Sequence, residues 1–379
     1  MKRSDEFAGV APTGPRTRMA DLPLRRELLN RTSYLAPQPS VSIRMNTNES
    51  PFPPTSQVSE EILVSLREAV TSLHRYPDRD AIELRTDLAE YISRQTGVPV
   101  DFGNIWAANG SLEILLQLMQ VFGGSERSAL SFVPSYSMYA SIATTTEVEW
   151  LEIARDAEFS LNTDKALAAI LEHTPDIVFL TNPHNPTGQS MATADLQRIL
   201  EAAPGIVIVD EAYGEFSSVP SAIGLIDRFP TRLMVTRTLS KAFGFAGGRL
   251  GYLVAAPEAI EALKLVSLPY HLSALTQAAA RAVLRHADEI LGHVAELTKE
   301  RERITRVLRH HRFDVVDSAA NFLLFGRFTD APLAWQHYLD QGVLIRDIGI
   351  PHYLRMSIGN AAENDRFIEI TQLLEPMGP

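Results

Sequence analysis

The sequence contains no cysteine. That absence excludes a disulfide scaffold, a thiolate nucleophile, a zinc finger and an iron–sulfur cluster held by thiolates. No stretch approaches the roughly 18 apolar residues that a membrane-spanning helix needs. The sequence also has neither an internal repeat nor a low-complexity tract. Its 379 residues, 45% hydrophobic and 21% charged, predict a soluble globular protein of the size of an enzyme, with one large domain or two unequal ones.

Basic residues are outnumbered by acidic ones, 35 against 46, so the formal net charge is −11. A nucleic-acid-binding protein takes most of its affinity from basic groups that neutralise phosphates, so we expect no nucleic-acid partner. The first residues lack an apolar run of signal-peptide length and are interrupted by Pro12, Gly14 and Pro15. We therefore expect a cytoplasmic protein without a membrane association.

Short apolar runs rich in Val, Ile, Leu and Thr recur between residues 104 and 240. The first run leads into Leu112, Leu115, Leu116 and Met119, whose spacing is that of one helix face. Short apolar strands that alternate with helices predict a mostly parallel sheet with helices on both faces, and hence an α/β protein. The runs are NIWAANG, SALSFVPS, DIVFLTNP, GIVIVD and RLMVTRTLS.

The C-terminal part of the chain has a different pattern. Residues 277–311 form one long helical run, or two with a kink, and the strand patterns DVVDSAANFLLF and GVLIRDIG follow before a last helix after Glu363. This order predicts a smaller α+β domain with a boundary near Leu272. We predict an N-terminal arm at 1–45 that contributes to the small domain and to dimer contacts, a large cofactor-binding domain at 46–272 and a small domain at 273–379.

Polar side chains follow the predicted strands, at the edge where open α/β sheets bind their ligands. They are, in chain order, Ser111 after Gly110, Tyr136, Asn185, Asp210, Tyr213, Ser240, Lys241 and Arg249. An amine, a carboxylate, phenols, an amide and a guanidinium are therefore expected at one rim of the sheet.

These groups suit a phosphorylated pyridine aldehyde. Lys241 can form a Schiff base with a carbonyl cofactor, and the carboxylate of Asp210 can keep a pyridine nitrogen protonated. A phenol and an amide can bind the ring hydroxyl. A helix N-terminus with Ser111, together with Ser240 and Arg249, can hold a dianionic phosphate. We find no pattern of metal ligands and expect no metal.

The segments NPHNPTG, DEAYGEF and TLSKAFGFAGGRLGY resemble the signatures of fold-type I aminotransferases that use pyridoxal 5'-phosphate. NTNESPFPPT, HRYPDRD, PSYSMY, LPYHLSA and the later IRDIG and LRMSIG resemble histidinol-phosphate aminotransferases of the actinobacterial kind. The resemblance extends from about Asp21 to the C-terminus. It implies a fold-type I transferase, with a large domain around the sheet and a smaller C-terminal domain.

The resemblance also implies a role for each matching residue. Lys241 carries the cofactor and moves the substrate proton, while Asp210 pairs with the pyridine nitrogen. The remaining cofactor contacts are the ring partners Tyr136, Asn185 and Tyr213, and the phosphate ligands Ser111, Leu112 through its backbone N–H, Ser240, Arg249 and, from the neighbouring subunit of a homodimer, Tyr76. The substrate contacts are Tyr34, Tyr270, Arg346 and Arg355.

The implied reaction is transamination between L-histidinol phosphate and 2-oxoglutarate, which yields imidazole-acetol phosphate and glutamate in histidine biosynthesis. Leu112 occupies a position where the resemblance leads us to expect Asn or Asp, and a leucine cannot hydrogen-bond an imidazole. An aromatic amino-acid aminotransferase is therefore an alternative. A threonine-phosphate decarboxylase is a second alternative, because the two chemistries differ only in which substrate Cα bond breaks. A regulatory binding protein is a third, but the sequence has no basic helix-turn-helix segment.

Overall fold

The computed structural model describes residues 21–29 and 38–377. The chain divides into two units, Met1–Gln38 and Pro39–Pro379. The described part of the first unit contains a single-turn 3₁₀ helix, Arg26–Leu28. Every strand and α-helix named below belongs to the second unit.

The strands are β1 Ile43–Arg44, β2 Ile105–Ala108, β3 Ser128–Val133, β4 Glu149–Ala154, β5 Ile177–Thr181, β6 Ile206–Asp210, β7 Leu233–Thr238, β8 Gly251–Val254, β9 Asp314–Val315, β10 Phe322–Gly326, β11 Val343–Leu344 and β12 Tyr353–Ser357. The helices are α1 Ser56–Val70, α2 Ile82–Thr96, α3 Ser111–Phe122, α4 Met138–Thr145, α5 Thr163–His173, α6 Thr193–Ala202, α7 Pro257–Lys264, α8 Ala274–Arg285, α9 Ala287–His310, α10 Ala331–Asp340 and α11 Ala361–Thr371. Within the described ranges, no helix is both long and apolar enough to cross a membrane.

A seven-stranded sheet forms the main core, in the order β2-β8-β7-β6-β5-β3-β4. Strands β4, β3, β5, β6 and β7 pair in parallel, whereas β8 runs antiparallel to both of its neighbours, β7 and β2. The five apolar runs of the sequence form β2, β3, β5, β6 and β7, so the predicted mostly parallel sheet is confirmed. The antiparallel β8 was not predicted, since GYLV follows a glycine-rich turn and is only four residues long.

Both faces of this sheet are buried. In β6, Val207 and Val209 pack into one apolar cluster with α2, α6 and α8, while Ile206 and Ile208 pack into another with α3, α4 and α7. Successive side chains of a strand point to opposite faces, so a strand covered on both sides is expected to be apolar at most positions. This explains why β5 and β6 are nearly continuous apolar runs in the sequence.

The C-terminal helical run is two helices, α8 and α9, which meet at His286. After it, β9, β10 and β12 form an antiparallel sheet in the order β12-β10-β9, and β11 pairs in parallel with β1. Ile43 lies opposite Val343 in that pair, so the chain segment before α1 is attached to the C-terminal strands. The division of residues 39–379 into a large and a small domain stays a prediction.

Candidate active site

Asp210 ends β6 and is 4% exposed. Its carboxylate accepts hydrogen bonds from the Tyr139 hydroxyl at 2.7 Å and from the Ala212 N–H at 3.1 Å. Burial raises the pKa of this carboxyl, while the bonds from Tyr139 and Ala212 oppose the rise because they stabilise the anion. A buried carboxylate held in this way is suited to pairing with a cationic N–H such as a protonated pyridine nitrogen.

Tyr139 links Asp210 to the neighbouring strand. Its hydroxyl lies 2.9 Å from the Thr181 Oγ1 at the end of β5. Because Tyr139 has one proton and gives it to the carboxylate, the Thr181 hydroxyl is the donor in the second bond. Tyr139 was not among the predicted site residues, although it is the second tyrosine of PSYSMY and lies one helical turn after Tyr136. The two rings meet edge to face, with centroids 5.5 Å apart.

Lys241 lies in the turn after β7 and is partly buried. Its Nζ donates a hydrogen bond to the Thr47 carbonyl at 2.9 Å. Burial lowers the pKa of this amine most, and the charges of Arg355 and Arg249 add to the lowering against the opposing charges of Glu49 and Asp210, so that together they bring the pKa to about 8. Since these charges act on one amine, the predicted lysine, carboxylate and arginines share one site.

A cradle for an anion forms where α3 begins beside β8. Gly110 has φ +85° and precedes Ser111, the first residue of α3. A Cβ on Gly110 would lie 2.7 Å from the Arg249 Nη2, and one on Gly251 would lie 2.1 Å from the Ser111 backbone nitrogen. The glycines therefore let the strand, the guanidinium and the helix N-terminus approach each other. Helix N-termini with an arginine are ready-made phosphate sites.

Ser240 contributes a hydroxyl close to this cradle. It follows β7, whose last residue Thr238 lies opposite Gly251 in the sheet. The Thr238 Oγ1 accepts from the Ser240 N–H at 3.1 Å and contacts the Ser240 Oγ at 3.0 Å. The Leu239 N–H donates to the Leu250 carbonyl at 3.0 Å, so the turn that carries Lys241 is held against the residue that precedes β8.

Arg355 is 8% exposed and contacts two segments of the site. Its Nη1 donates to the Asn185 Oδ1 at 2.7 Å and its Nη2 to the Asn46 carbonyl at 3.1 Å, and the guanidinium lies over the Phe322 ring at 5.3 Å. Arg346 pairs with Arg355 through two backbone hydrogen bonds of 2.9 Å. The two predicted substrate arginines are therefore adjacent, and Asn185 adjoins one of them.

Tyr213 is buried and packs edge to face with Phe322 at 5.0 Å. Its hydroxyl accepts a hydrogen bond from the Asn48 Nδ2 at 2.9 Å. No role was predicted for Asn48, which lies in NTNESPFPPT and is far from Tyr213 in sequence. Only the position of Asn48 within a resemblance motif pointed to it.

Three other predicted site residues have different surroundings: one is exposed, one packs in an apolar cluster and one lies outside the described residues. Tyr76 is 79% exposed and stacks on Tyr270, with ring centroids 4.4 Å apart. Leu112 packs against the apolar cluster around α3. Tyr34 lies outside the described residues.

An ion network behind the site was not predicted either. Arg237, in β7, contacts Glu211 at 2.8 Å and Glu215 at 3.1 Å, and all three side chains are at most 3% exposed. Burial alone would lower the pKa of Arg237, but the two carboxylates outweigh it and raise the pKa. The network ties the residue after Asp210 to the strand that precedes Lys241.

These residues fit pyridoxal 5'-phosphate. The site offers an amine of lowered pKa for an aldehyde, a buried carboxylate for a pyridine nitrogen, and a glycine-lined cradle with Arg249 for a phosphate. Among the described residues, no group of His, Asp or Glu could hold a metal ion.

Comparisons with known proteins agree with this fit. Residues 41–370 match the family model described as aminotransferase class I and II. The chain is 61% identical to the histidinol-phosphate aminotransferase of Nocardia farcinica, over 96% of this chain and 95% of that protein. It is 59% identical to that of Mycobacterium marinum, over 93% of each chain. The histidinol-phosphate aminotransferase of Sinorhizobium meliloti, solved in complex with pyridoxal 5'-phosphate, has the same fold, with a TM-score of 0.77, 24% identity and coverage of 88% of this chain and 92% of that one.

Proposed function

The chain belongs to the aminotransferase class I and II family, whose members use pyridoxal 5'-phosphate, and from this premise we propose that it moves an amino group between L-histidinol phosphate and 2-oxoglutarate. The products are imidazole-acetol phosphate and glutamate, as in histidine biosynthesis. The observation that carries the proposal is a lysine of lowered pKa beside a buried carboxylate and two adjacent arginines. It supports transamination of an anionic substrate.

The residues of the site divide the work of holding the cofactor. The N-terminus of α3 with Ser111, the Ser240 hydroxyl and Arg249 would bind its phosphate, and Asp210 would hold its ring nitrogen in the protonated form. Tyr213 and Asn185 would bind the ring oxygen, and Tyr136 would stack on the ring. When bound, pyridoxal 5'-phosphate supplies an aldehyde carbon and a pyridine ring that takes up the electron pair of the broken Cα–H bond.

Lys241 is the acid–base group of the proposal. A base works best when its pKa lies near the pH of the reaction, and burial together with the neighbouring charges brings the pKa of this amine to about 8. The amine would take the proton from the substrate Cα and deliver it to C4′, the aldehyde carbon of the cofactor. The same groups serve two half-reactions, with histidinol phosphate in one and 2-oxoglutarate in the other.

Arg355 and Arg346 would bind the anionic group of each substrate. Their charge explains how a protein of net charge −11 attracts phosphates and carboxylates, since the field inside the pocket outweighs the net charge. Tyr270 and Tyr34 complete the proposed substrate contacts. Because Leu112 packs into the apolar cluster, its side chain gives no specific support to the aromatic alternative.

An absorbance titration of the cofactor-loaded protein tests the substrate. We expect histidinol phosphate to change the cofactor absorption at the lowest concentration, and 2-oxoglutarate to reverse the change. A stronger response to phenylalanine would favour an aromatic aminotransferase. Release of carbon dioxide from threonine phosphate without a keto acid would favour the decarboxylase.

The role of Lys241 needs its own test. Lys241→Ala is expected to abolish turnover while the phosphate cradle still binds the cofactor, as equilibrium dialysis would show. Lys165→Ala, at an exposed lysine in α5, is the matched control and should keep full activity. Retained steady-state transamination by Lys241→Ala would refute the assignment.

We further propose a homodimer in the cytoplasm, in which Tyr76 reaches the cofactor phosphate of the partner subunit. The support is a group of exposed apolar side chains on two segments. One segment is the end of α1 and the residues after it, with Val70, Leu73 and Tyr76, and the other follows α7, with Leu265, Leu268 and Tyr270. Tyr76 and Tyr270 stack on each other, which connects the two segments. An apolar surface of this kind is typical of an interaction site.

Subunit mixing tests whether Tyr76 acts across a dimer. Tyr76→Ala and Lys241→Ala are each expected to have little activity alone. Mixed dimers, made by co-expression with two different tags, contain one site with both native residues and should regain activity. No gain on mixing would place Tyr76 in its own subunit's site. Leu268→Arg should yield monomers by light scattering, whereas Leu333→Arg, on exposed Leu333 of α10, should not.

A further inference from the structure

Asn48 has features that the proposed function does not use. It is 1% exposed and adopts φ +56°, a left-handed conformation that asparagine tolerates better than most residues. Its backbone carbonyl accepts a hydrogen bond from the Asn321 Nδ2 at 3.1 Å. A buried amide in a constrained backbone conformation has a fixed set of partners.

The direction of the Asn48 side-chain amide follows from Ser357. The Ser357 Oγ accepts from the Asn48 backbone N–H at 2.8 Å and gives its own proton to the Asn48 Oδ1 at 3.0 Å. With the oxygen occupied on that side, the Nδ2 is turned to the Tyr213 hydroxyl, 2.9 Å away. Asn48 is therefore a donor to the phenol, and the hydroxyl of Ser357 keeps it so.

We infer that Asn48 is a positioning residue that sets the direction of the Tyr213 O–H bond. An amide N–H that donates to the phenol oxygen excludes the phenol proton from that direction, so the proton points elsewhere. The phenol is then prepared to donate to an anionic oxygen in the site. The inference rests on the proposed function, in which that oxygen belongs to the pyridine ring of the cofactor.

The neighbours of Asn48 give this arrangement a wider effect. The Asn46 carbonyl accepts from Arg355, and the Thr47 carbonyl accepts from Lys241. The consecutive residues 46, 47 and 48 therefore contact, in that order, the proposed substrate arginine, the lysine and the Tyr213 phenol. A change at Asn48 is expected to act on the ring oxygen contact first, because its side chain is the one of the three that contacts Tyr213.

Asn48→Asp is the sharpest test, because it replaces the donor NH₂ with an acceptor oxygen at nearly constant size. The carboxylate would accept the phenol proton and reverse the bond. We expect pyridoxal 5'-phosphate to bind about tenfold or more weakly to the Lys241→Ala protein when Asn48→Asp is added, as for the loss of one hydrogen bond to a charged group. Equilibrium dialysis measures this without turnover. Asn360→Asp, at the N-cap of α11, is the matched control and should change nothing.

Two further measurements separate this role from a general structural one. The analogue 3-deoxypyridoxal 5'-phosphate lacks the ring oxygen, so it should bind equally well to the Lys241→Ala protein with the native Asn48 and to the same protein with N48D. In a Tyr213→Phe background the effect of N48D should disappear, since the two residues act through one bond. Ser357→Ala, which frees the amide to turn, should produce a smaller loss of the same kind and serves if N48D does not fold.

The outcomes are distinct. If the Lys241→Ala protein binds neither compound, the proposed cofactor is wrong. If it binds pyridoxal 5'-phosphate and N48D weakens both compounds equally, or neither, the inference about Asn48 is wrong while the proposed function stands.

Discussion

The lowered pKa of Lys241 predicts a specific pattern of chemical reactivity. An amine with a pKa of about 8 is about one-tenth unprotonated at pH 7 and nine-tenths at pH 9, so its acylation rate should rise about tenfold over that range and then level off. A lysine with the ordinary pKa near 10.4 should rise about 100-fold and continue rising. The assay is trace labelling of the cofactor-free protein with a small amine-directed reagent, read by mass spectrometry of the peptide that contains Lys241.

The sources of the shift can be separated in the same experiment. Arg355→Gln removes the cation that lowers the pKa of Lys241 most, so the midpoint for Lys241 should move to higher pH. Labelling of the denatured protein gives the ordinary behaviour of the same residue. A rate in the folded protein that rises about 100-fold between pH 7 and pH 9 without levelling would refute the argument from burial and neighbouring charge.

Three other predictions concern the surroundings of the lysine. Asp210→Asn should lower the transamination rate at least about a hundredfold, yet the cofactor-free variant should be as stable to heat at pH 7 as the native protein, or more stable. Burial raises the pKa of Asp210 in the folded state, so the charged carboxylate destabilises the fold above that pKa. The stability advantage of Asn should therefore fade as the pH falls towards about 4. Gly251→Ala should weaken cofactor binding in dialysis, because its Cβ would overlap the backbone at the start of α3, whereas Gly247→Ala has open space and should bind normally. Arg237→Met leaves two buried carboxylates unpaired and should reduce the free energy of unfolding by about 3–5 kcal/mol, against about 0.5 kcal/mol or less for Arg228→Met at an exposed pair; urea unfolding of both variants checks this.

Much of the fold was predictable because burial on both faces of a sheet leaves a direct mark on the sequence. Strands β5 and β6 are apolar at every position except the last, whereas β3 has two serines and β7 ends in Thr-Arg-Thr. Short, mostly apolar runs between helical patterns are typical of buried parallel strands. The sequence signal of strand β8 is weaker. It is four residues long and runs antiparallel to β7, and periodicity does not report strand direction.

The candidate site was predictable only in part. Asp210 and Lys241 end or follow strands, and the rule that ligands bind at strand ends brought them together. Asn48 and Tyr139 act through hydrogen bonds to residues 165 and 71 positions away, and no local pattern reports such contacts. The assignments of the predicted site residues to ligand groups, those of Lys241 and Asp210 included, stay predictions, as does the role of Tyr76 in a partner subunit.

The hydrogen bonds of residues 46–48 have a consequence for how the chain is made. Asn48 is synthesised 309 residues before Ser357, whose hydroxyl fixes its amide. A chain still growing on the ribosome can form the β5–β6 edge with Asp210, but it cannot orient the phenol in this way until Ser357 has emerged. Until Ser357 has been added, the nascent protein would therefore hold the carboxylate of Asp210 and the amine of Lys241 without the contact that fixes the Asn48 amide and, through it, the Tyr213 phenol. A chain that ends before β12 would retain Lys241 and Asp210 but lack Arg355 and the Ser357 hydroxyl.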